Sequence, residues 1–199
     1  MIFAAQKKKK IKVSVYNPRD YTKNKWKKVD ERPYGGGPGM VMTAEPILLA
    51  VEAIFRKIRN PKSAIKNYKI VMLSPRGKQF TNETAKKFAK TYKHTIFIAG
   101  HYEGIDARVK KILKPEEISV GPYVLTGGEL PTLTMLDAIT RQIPGVLGDP
   151  ASLEESRVAS GDVYTRPDVL EYKKKRYPVP AVLKTGDHAK IKAWREKRQ

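Results

Sequence analysis

The chain has 199 residues, in which 40 lysines and arginines face 20 aspartates and glutamates, a net charge of +20. Its 40% apolar and 30% charged content suits one folded domain, or one domain with a small appendage, and excludes a disordered chain. The absence of cysteine excludes disulfides, thiolate metal sites and cysteine nucleophiles.

No apolar run approaches the roughly 18 residues that span a bilayer. The start "MIFAAQKKKKIKV" places its charge after a short apolar piece, the reverse of a secretory leader. A cytoplasmic protein with no membrane partner is expected. A field this positive favours a polyanionic partner, nucleic acid first, the other reading being a lysine-rich solvated surface.

In chain order, "IKVSVY" (11–16) alternates apolar and polar residues and predicts a half-buried strand. Residues 20–40 form a long connection rich in lysine and glycine, and loops of that length in compact domains are functional or disordered. "EPILLAVEAIFRKI" (45–58) predicts a helix with Pro46 in its first turn. "YKIVML" (68–73) predicts a buried strand ending at "SPRG", "NETAKKFAKTY" (82–92) an amphipathic helix, and "TIFIAG" (95–100) another short strand. "GIDARVKKIL" (104–113) reads as a helix, "EISV" as a short apolar piece, and residues 130–143 as a further helix.

Strands alternating with helices predict an α/β fold with a mainly parallel sheet. Ligands bind such sheets in the loops beyond the carboxyl ends of the strands. Those loops read "LSPRG", "AGHYEGID" and "GPYVLTGGELP". From about Gly148 the chain becomes polar and aperiodic, as a linker, and "VLEYKKKRY" and "HAKIKAWREKR" predict short basic helices, the second capped by Asp187.

Phosphate-loop and dinucleotide fingerprints are missing, and His94, His101 and His188 lack ligand spacing. His101 stands in a candidate ligand loop, where a hydrogen-bonded spacer is the ordinary role. "PYGGGPGM" (33–40) holds four glycines and two prolines, a backbone able to lie flat against a planar ligand. In "GHYEGID", Glu103 is placed to accept from a ribose diol and Asp106 to cap the next helix, with ion pairing to lysines as the alternative for both.

"NPRDYT", "RPYGGGPGMVM", "LSPRG", "GHYEGIDARV", "VGPYVLTGGELP", "RQIPGVLG", "YTRPDVLE" and "HAKIKAWR" stand in the order found in bacterial tRNA (guanine-N1)-methyltransferases, the TrmD family. The chain resembles that family from about Ile11 to Arg198. The resemblance implies a SPOUT-type α/β domain with a C-terminal trefoil knot over residues 1–147, a linker over 148–165 and a small helical tRNA-binding domain over 166–199. It implies a homodimer with the site at its interface. The reaction implied is methylation by S-adenosylmethionine of N1 of the guanosine 3′ of the anticodon in tRNA.

By the same resemblance, Leu73, Ser74, Pro75, Gly100, Tyr102, Glu103, Val120, Gly121, Tyr123, Leu125, Gly127, Gly128 and Pro131 hold the methyl donor. Tyr34, Gly36, Gly37, Pro38, Gly39 and Met40 cradle the guanine, and Arg141 matches the family's catalytic arginine. The resemblance leaves a Mg2+ requirement open.

The family linker reads Ser-x-Glu-Glu-Asp-Ser, its aspartate being the general base, whereas this chain reads "SLEESRV". Ungapped matching puts Ser156 at the aspartate position. A shift of one makes Glu155 the base, ahead of Glu154 and Asp162. A basic RNA-binding member that does not transfer methyl is the alternative reading. Family members usually carry a further strand and helix ahead of "MIFAAQ" and tens of residues beyond "KIKAWR", so both ends read as shortened.

Overall fold

The computed structural model of the chain describes residues 1–58, 67–147 and 162–196. Two compact units divide the chain, Met1–Leu147 and Gly148–Gln199.

The first unit opens with a short helix α1 (Ile2–Lys7) and a 3-10 turn (Pro18–Tyr21). Then come β1 (Asp30–Glu31), β2 (Val41–Met42), α2 (Ala44–Ile58), β3 (Tyr68–Gln79), α3 (Asn82–Thr91) and β4 (His94–Ile98). It closes with α4 (Ala107–Leu113), β5 (Glu116–Ser119) and α5 (Glu129–Arg141). The central sheet is wholly parallel, in the order β4-β3-β5, and β1 and β2 form a separate antiparallel pair.

The centre of β3, residues 70–72, is buried because it lies between two layers of helix. Ile70 and Met72 point to one face, among Ile47 and Val51 of α2, Val109 of α4, and Ile96 and Ile98 of β4. Val71 points to the other, among Ala85 and Phe88 of α3, Ile118 of β5, and Met135 and Ile139 of α5. The two-residue period of the strand thus splits one apolar run between two cores. Full burial of Phe88, Ile118 and Met135 contributes about 1.5–3 kcal/mol each.

The helices begin and end where their chemistry requires. α2 takes Pro46 in its first turn, and Ile47, Ala50 and Val51 form its buried stripe. Thr81 caps α3 by accepting from the Thr84 N–H, and Asp106 caps α4 by accepting from the Arg108 N–H.

Two expectations need correction in this unit. Residues 11–16 form no strand: Val13 and Val15 are exposed, and no described strand pairs with the segment. Alternation alone does not make a strand when no neighbour takes its backbone hydrogen bonds. β3 does not stop at "SPRG" either. Leu73 and Lys78 both register with Ile118, so Ser74–Gly77 loop out of a strand that resumes at Lys78.

The second unit contains β6 (Val169–Tyr172) and β7 (Lys175–Pro178), a 3-10 turn (Ala181–Lys184) and α6 (His188–Glu196). "VLEYKKKRY", read as a helix, is an antiparallel hairpin. Lys173 and Lys174 hold φ of 50° and 60°, the left-handed backbone of a two-residue hairpin turn. Asp187 does cap α6, accepting from the Lys190 N–H at 3.1 Å. Among the described residues, no helix is long and apolar enough to cross a membrane.

Candidate active site

Parallel strands deliver their carboxyl ends to one edge of the sheet. The Ser74–Gly77 loop-out of β3, the loop 99–106 after β4 and the loop 120–128 after β5 therefore share that edge. Leu73, Ser74 and Pro75 lie on the first, Gly100, Tyr102 and Glu103 on the second, and Val120, Gly121, Tyr123, Leu125, Gly127 and Gly128 on the third. Pro131 is buried in the first turn of α5.

Each loop is held by its own short-range bonds. The Ser74 Oγ accepts from the Arg76 N–H at 3.2 Å. The buried Ser119 Oγ donates to the Gly121 carbonyl at 2.9 Å and accepts from the Gly121 N–H at 3.2 Å. The Tyr123 hydroxyl donates to the Val120 carbonyl at 3.3 Å.

The second and third loops are fastened together. The Gly128 N–H donates to the Gly100 carbonyl at 2.9 Å, and His101 bridges to Gly127. A Cβ on Gly128 would stand 2.5 Å from the Ala99 Cα, so only glycine allows the two backbones this close. His101, expected as a hydrogen-bonded spacer, places its Nε2 2.5 Å from Oε1 of Glu129, a residue with no expected role. Partial burial works to raise the Glu129 carboxyl, but the His101 hydrogen bond, its own backbone N–H and the imidazole charge hold it below the usual carboxylate range. An acid directly after "GG" at a helix start was the available signal; its partner, 28 residues away, left none.

"PYGGGPGM" is anchored at its base and open at its tip. The Met42 N–H donates to the Gly104 carbonyl at 2.9 Å, the Asp106 N–H to the Met42 carbonyl at 2.9 Å, and the Glu103 N–H to the Met40 carbonyl at 3.0 Å. At the tip Tyr34 is fully exposed, and Gly35, Gly36, Gly37 and Gly39 all take positive φ, a path closed to most other residues. Gly39 lies against the Glu103 side chain. The candidate guanine loop, with Pro38 at its exposed tip, is thus stitched to the second candidate cofactor loop.

Arg141 stands at the opposite end of α5 from Glu129. It is half-buried at the last residue of α5. The helix spans 13 residues, so its rise puts Arg141 about 18 Å from the Glu129 end. Glu154, Glu155 and Ser156 lie outside the described residues, and Asp162 belongs to the second unit.

Beside the loops, Tyr123, Val124, Leu125, Leu130 and Leu133 are exposed apolar side chains. Among the described residues, no cluster of three or more histidine or acidic side chains could hold a metal ion.

The arrangement offers a glycine-lined edge of backbone polar groups, with the glycine loop tied beside it. It suits two planar ligands held next to each other. The whole chain, residues 1–199, matches the family described as tRNA (guanine-1)-methyltransferase TrmD. It is 44% identical to the tRNA (guanine-N(1)-)-methyltransferase of Alkaliphilus oremlandii over 98% of this chain and 78% of that protein. It is 45% identical to the enzyme of the same name from Staphylococcus epidermidis, over 98% of this chain and 76% of that one. A third of that name, from Pseudoalteromonas atlantica, is 45% identical over 97% of this chain and 70% of its own length. The chain belongs to the TrmD family of tRNA (guanine-N1)-methyltransferases.

Proposed function

We propose that this protein transfers a methyl group from S-adenosylmethionine to N1 of the guanosine 3′ of the anticodon in tRNA. The observation that carries the reading is the placing of three glycine-marked loops at one sheet edge, with the "PYGGGPGM" loop hydrogen-bonded to the second of them, in a chain that matches the family from end to end.

The loops fit the donor by their chemistry. Their backbone amides and carbonyls suit an adenine edge, the Glu103 carboxylate suits a ribose diol, and the exposed faces of Tyr102 and Tyr123 suit its apolar surface. When bound, S-adenosylmethionine supplies an electrophilic methyl group on a sulfonium sulfur that leaves as a neutral thioether. Guanine N1 carries a proton and is a poor nucleophile, so a carboxylate must take that proton as N1 bonds to the methyl carbon. Glu155 is assigned that task in place of the family's aspartate. The Arg141 guanidinium stabilises the negative charge that develops toward O6.

The proposal places the site at the interface of two copies, with Arg141 at the far end of α5 from Glu129 completing it. The exposed Tyr123, Val124, Leu125, Leu130 and Leu133 supply an apolar surface for that homodimer. The proposal also carries the family's trefoil knot in the C-terminal part of the first unit, and tRNA binding by the second. Its place of work is the cytoplasm, where unmodified tRNA is available.

The test is incubation with labelled S-adenosylmethionine and an unmodified tRNA transcript, followed by digestion to nucleosides. Label in 1-methylguanosine supports the proposal. Bound tRNA with no label in any nucleoside refutes it.

A further inference from the structure

The hairpin β6–β7 is built unlike an ordinary surface ribbon. Its two faces are both open: Leu170, Tyr172 and Tyr177 are exposed, as is every residue of β7. A two-stranded ribbon with no covering layer has little stability of its own. Its turn makes the cost larger. Both turn positions take left-handed backbone, where Asn-Gly is the favourable pair and other residues are strained. This chain places Lys173 and Lys174 there, and Lys175 and Arg176 follow directly.

The partners of these four cations set their availability. Arg176 Nε lies 3.6 Å from Glu171 Oε1 across the ladder. Lys173 Nζ stands over the Tyr172 ring, 5.4 Å from its centre. Lys174 and Lys175 have no carboxylate partner among the described residues. A strained turn that concentrates unneutralised charge at the tip of an exposed ribbon is explained by a polyanion that meets the tip. Aromatic faces beside the charge add surface for a sugar or an unstacked base.

From this geometry we infer that the tip of the β6–β7 hairpin, Lys173 to Arg176, is a contact for the phosphate backbone of RNA. The inference rests on tRNA being the substrate and names one surface through which it is held. Phosphate contacts carry no sequence information, so the hairpin orients and retains the tRNA while the guanine is chosen elsewhere.

The experiment uses the full chain and two variants. Lys173→Asn with Lys174→Gly removes two charges and installs the favoured turn pair, so a loss of binding cannot come from a broken hairpin. Lys173→Gln with Lys174→Gln and Lys175→Gln removes three. Binding of an unmodified tRNA transcript is measured between about 50 and 200 mM salt.

Each lost phosphate contact should lower the slope of log affinity against log salt by about 0.7–0.9, so the variants should lose about 1.5 and 2.5. S-adenosylmethionine affinity and kcat should not change, while KM for tRNA rises several-fold. Wild-type slopes in both variants would overturn the inference and leave the methyltransferase reading standing. Failure of the unaltered protein to bind tRNA would overturn both.

Discussion

His101 and Glu129, whose side chains meet at 2.5 Å, join the loop after β4 to the first turn of α5. His101 also takes its backbone N–H to the Met42 sulfur at 3.3 Å. One residue therefore touches the base of the glycine loop and joins the second candidate cofactor loop to the third. The pair is half exposed, so its worth is at most about 1 kcal/mol, or roughly fivefold in an equilibrium. His101→Ala is expected to raise the KM for S-adenosylmethionine by up to about that factor with little change in kcat. His101→Gln, which still donates to the carboxylate, should restore most of it. Steady-state kinetics of the two variants check this.

Gly128 tests the close approach of the same loops. A side chain there meets the backbone of Ala99 and Gly100, which cannot rotate away. Gly128→Ala should destabilise the protein by about 1–3 kcal/mol through forced backbone displacement. It should also weaken S-adenosylmethionine binding. Thermal unfolding and calorimetric titration read the two effects.

Asp106 gives a pH dependence with a definite sign. Hydrogen bonds from the Arg108 side chain and the Arg108 backbone N–H hold its carboxyl below the usual aspartate range, against a smaller opposing effect of burial. A carboxyl lowered by folding stabilises the native state above its unfolded value, near 3.9. That contribution disappears as pH falls through the lower folded value. Asp106→Asn keeps the cap on α4 but removes the charge. The variant should therefore be less stable than the unaltered protein at neutral pH and approach it at strongly acidic pH. Unfolding midpoints against pH would decide the matter, and parallel curves would contradict the assignment.

Arg141 and Glu155 are assigned to charge stabilisation and proton removal, not to holding the donor. Arg141→Ala and Glu155→Gln should each lower kcat about 100-fold or more, with S-adenosylmethionine affinity retained. With the site shared between two copies as proposed, a mixture of Arg141→Ala protein with a Gly128→Ala protein should regain activity through mixed dimers. Absence of any regain after subunit exchange would place the whole site within one chain.

Much of the first unit was legible because its signals are local. Pro46 and the apolar stripe that follows define α2, the Thr81 cap defines α3, and the Asp106 cap defines α4. Parallel strands then dictate which loops meet. The strand expected at 11–16 failed because pairing depends on a neighbour that alternation cannot reveal.

The hairpin at 169–178 was misread because lysine favours helices, whereas Tyr172, Tyr177 and the left-handed turn favour a ribbon. The fixing of His101 to Glu129 was illegible for a different reason, since the two are distant in sequence and meet only through the fold. The assignment of Glu155 as base rests on the linker pattern, and its side chain lies outside the described residues.

The most direct test of the central claim is methyl transfer to two tRNA transcripts that differ at one nucleotide, guanosine or adenosine 3′ of the anticodon. The account predicts label from S-adenosylmethionine in the guanosine transcript and none in the adenosine transcript. Equal labelling of both, or none in either while both bind, would contradict it.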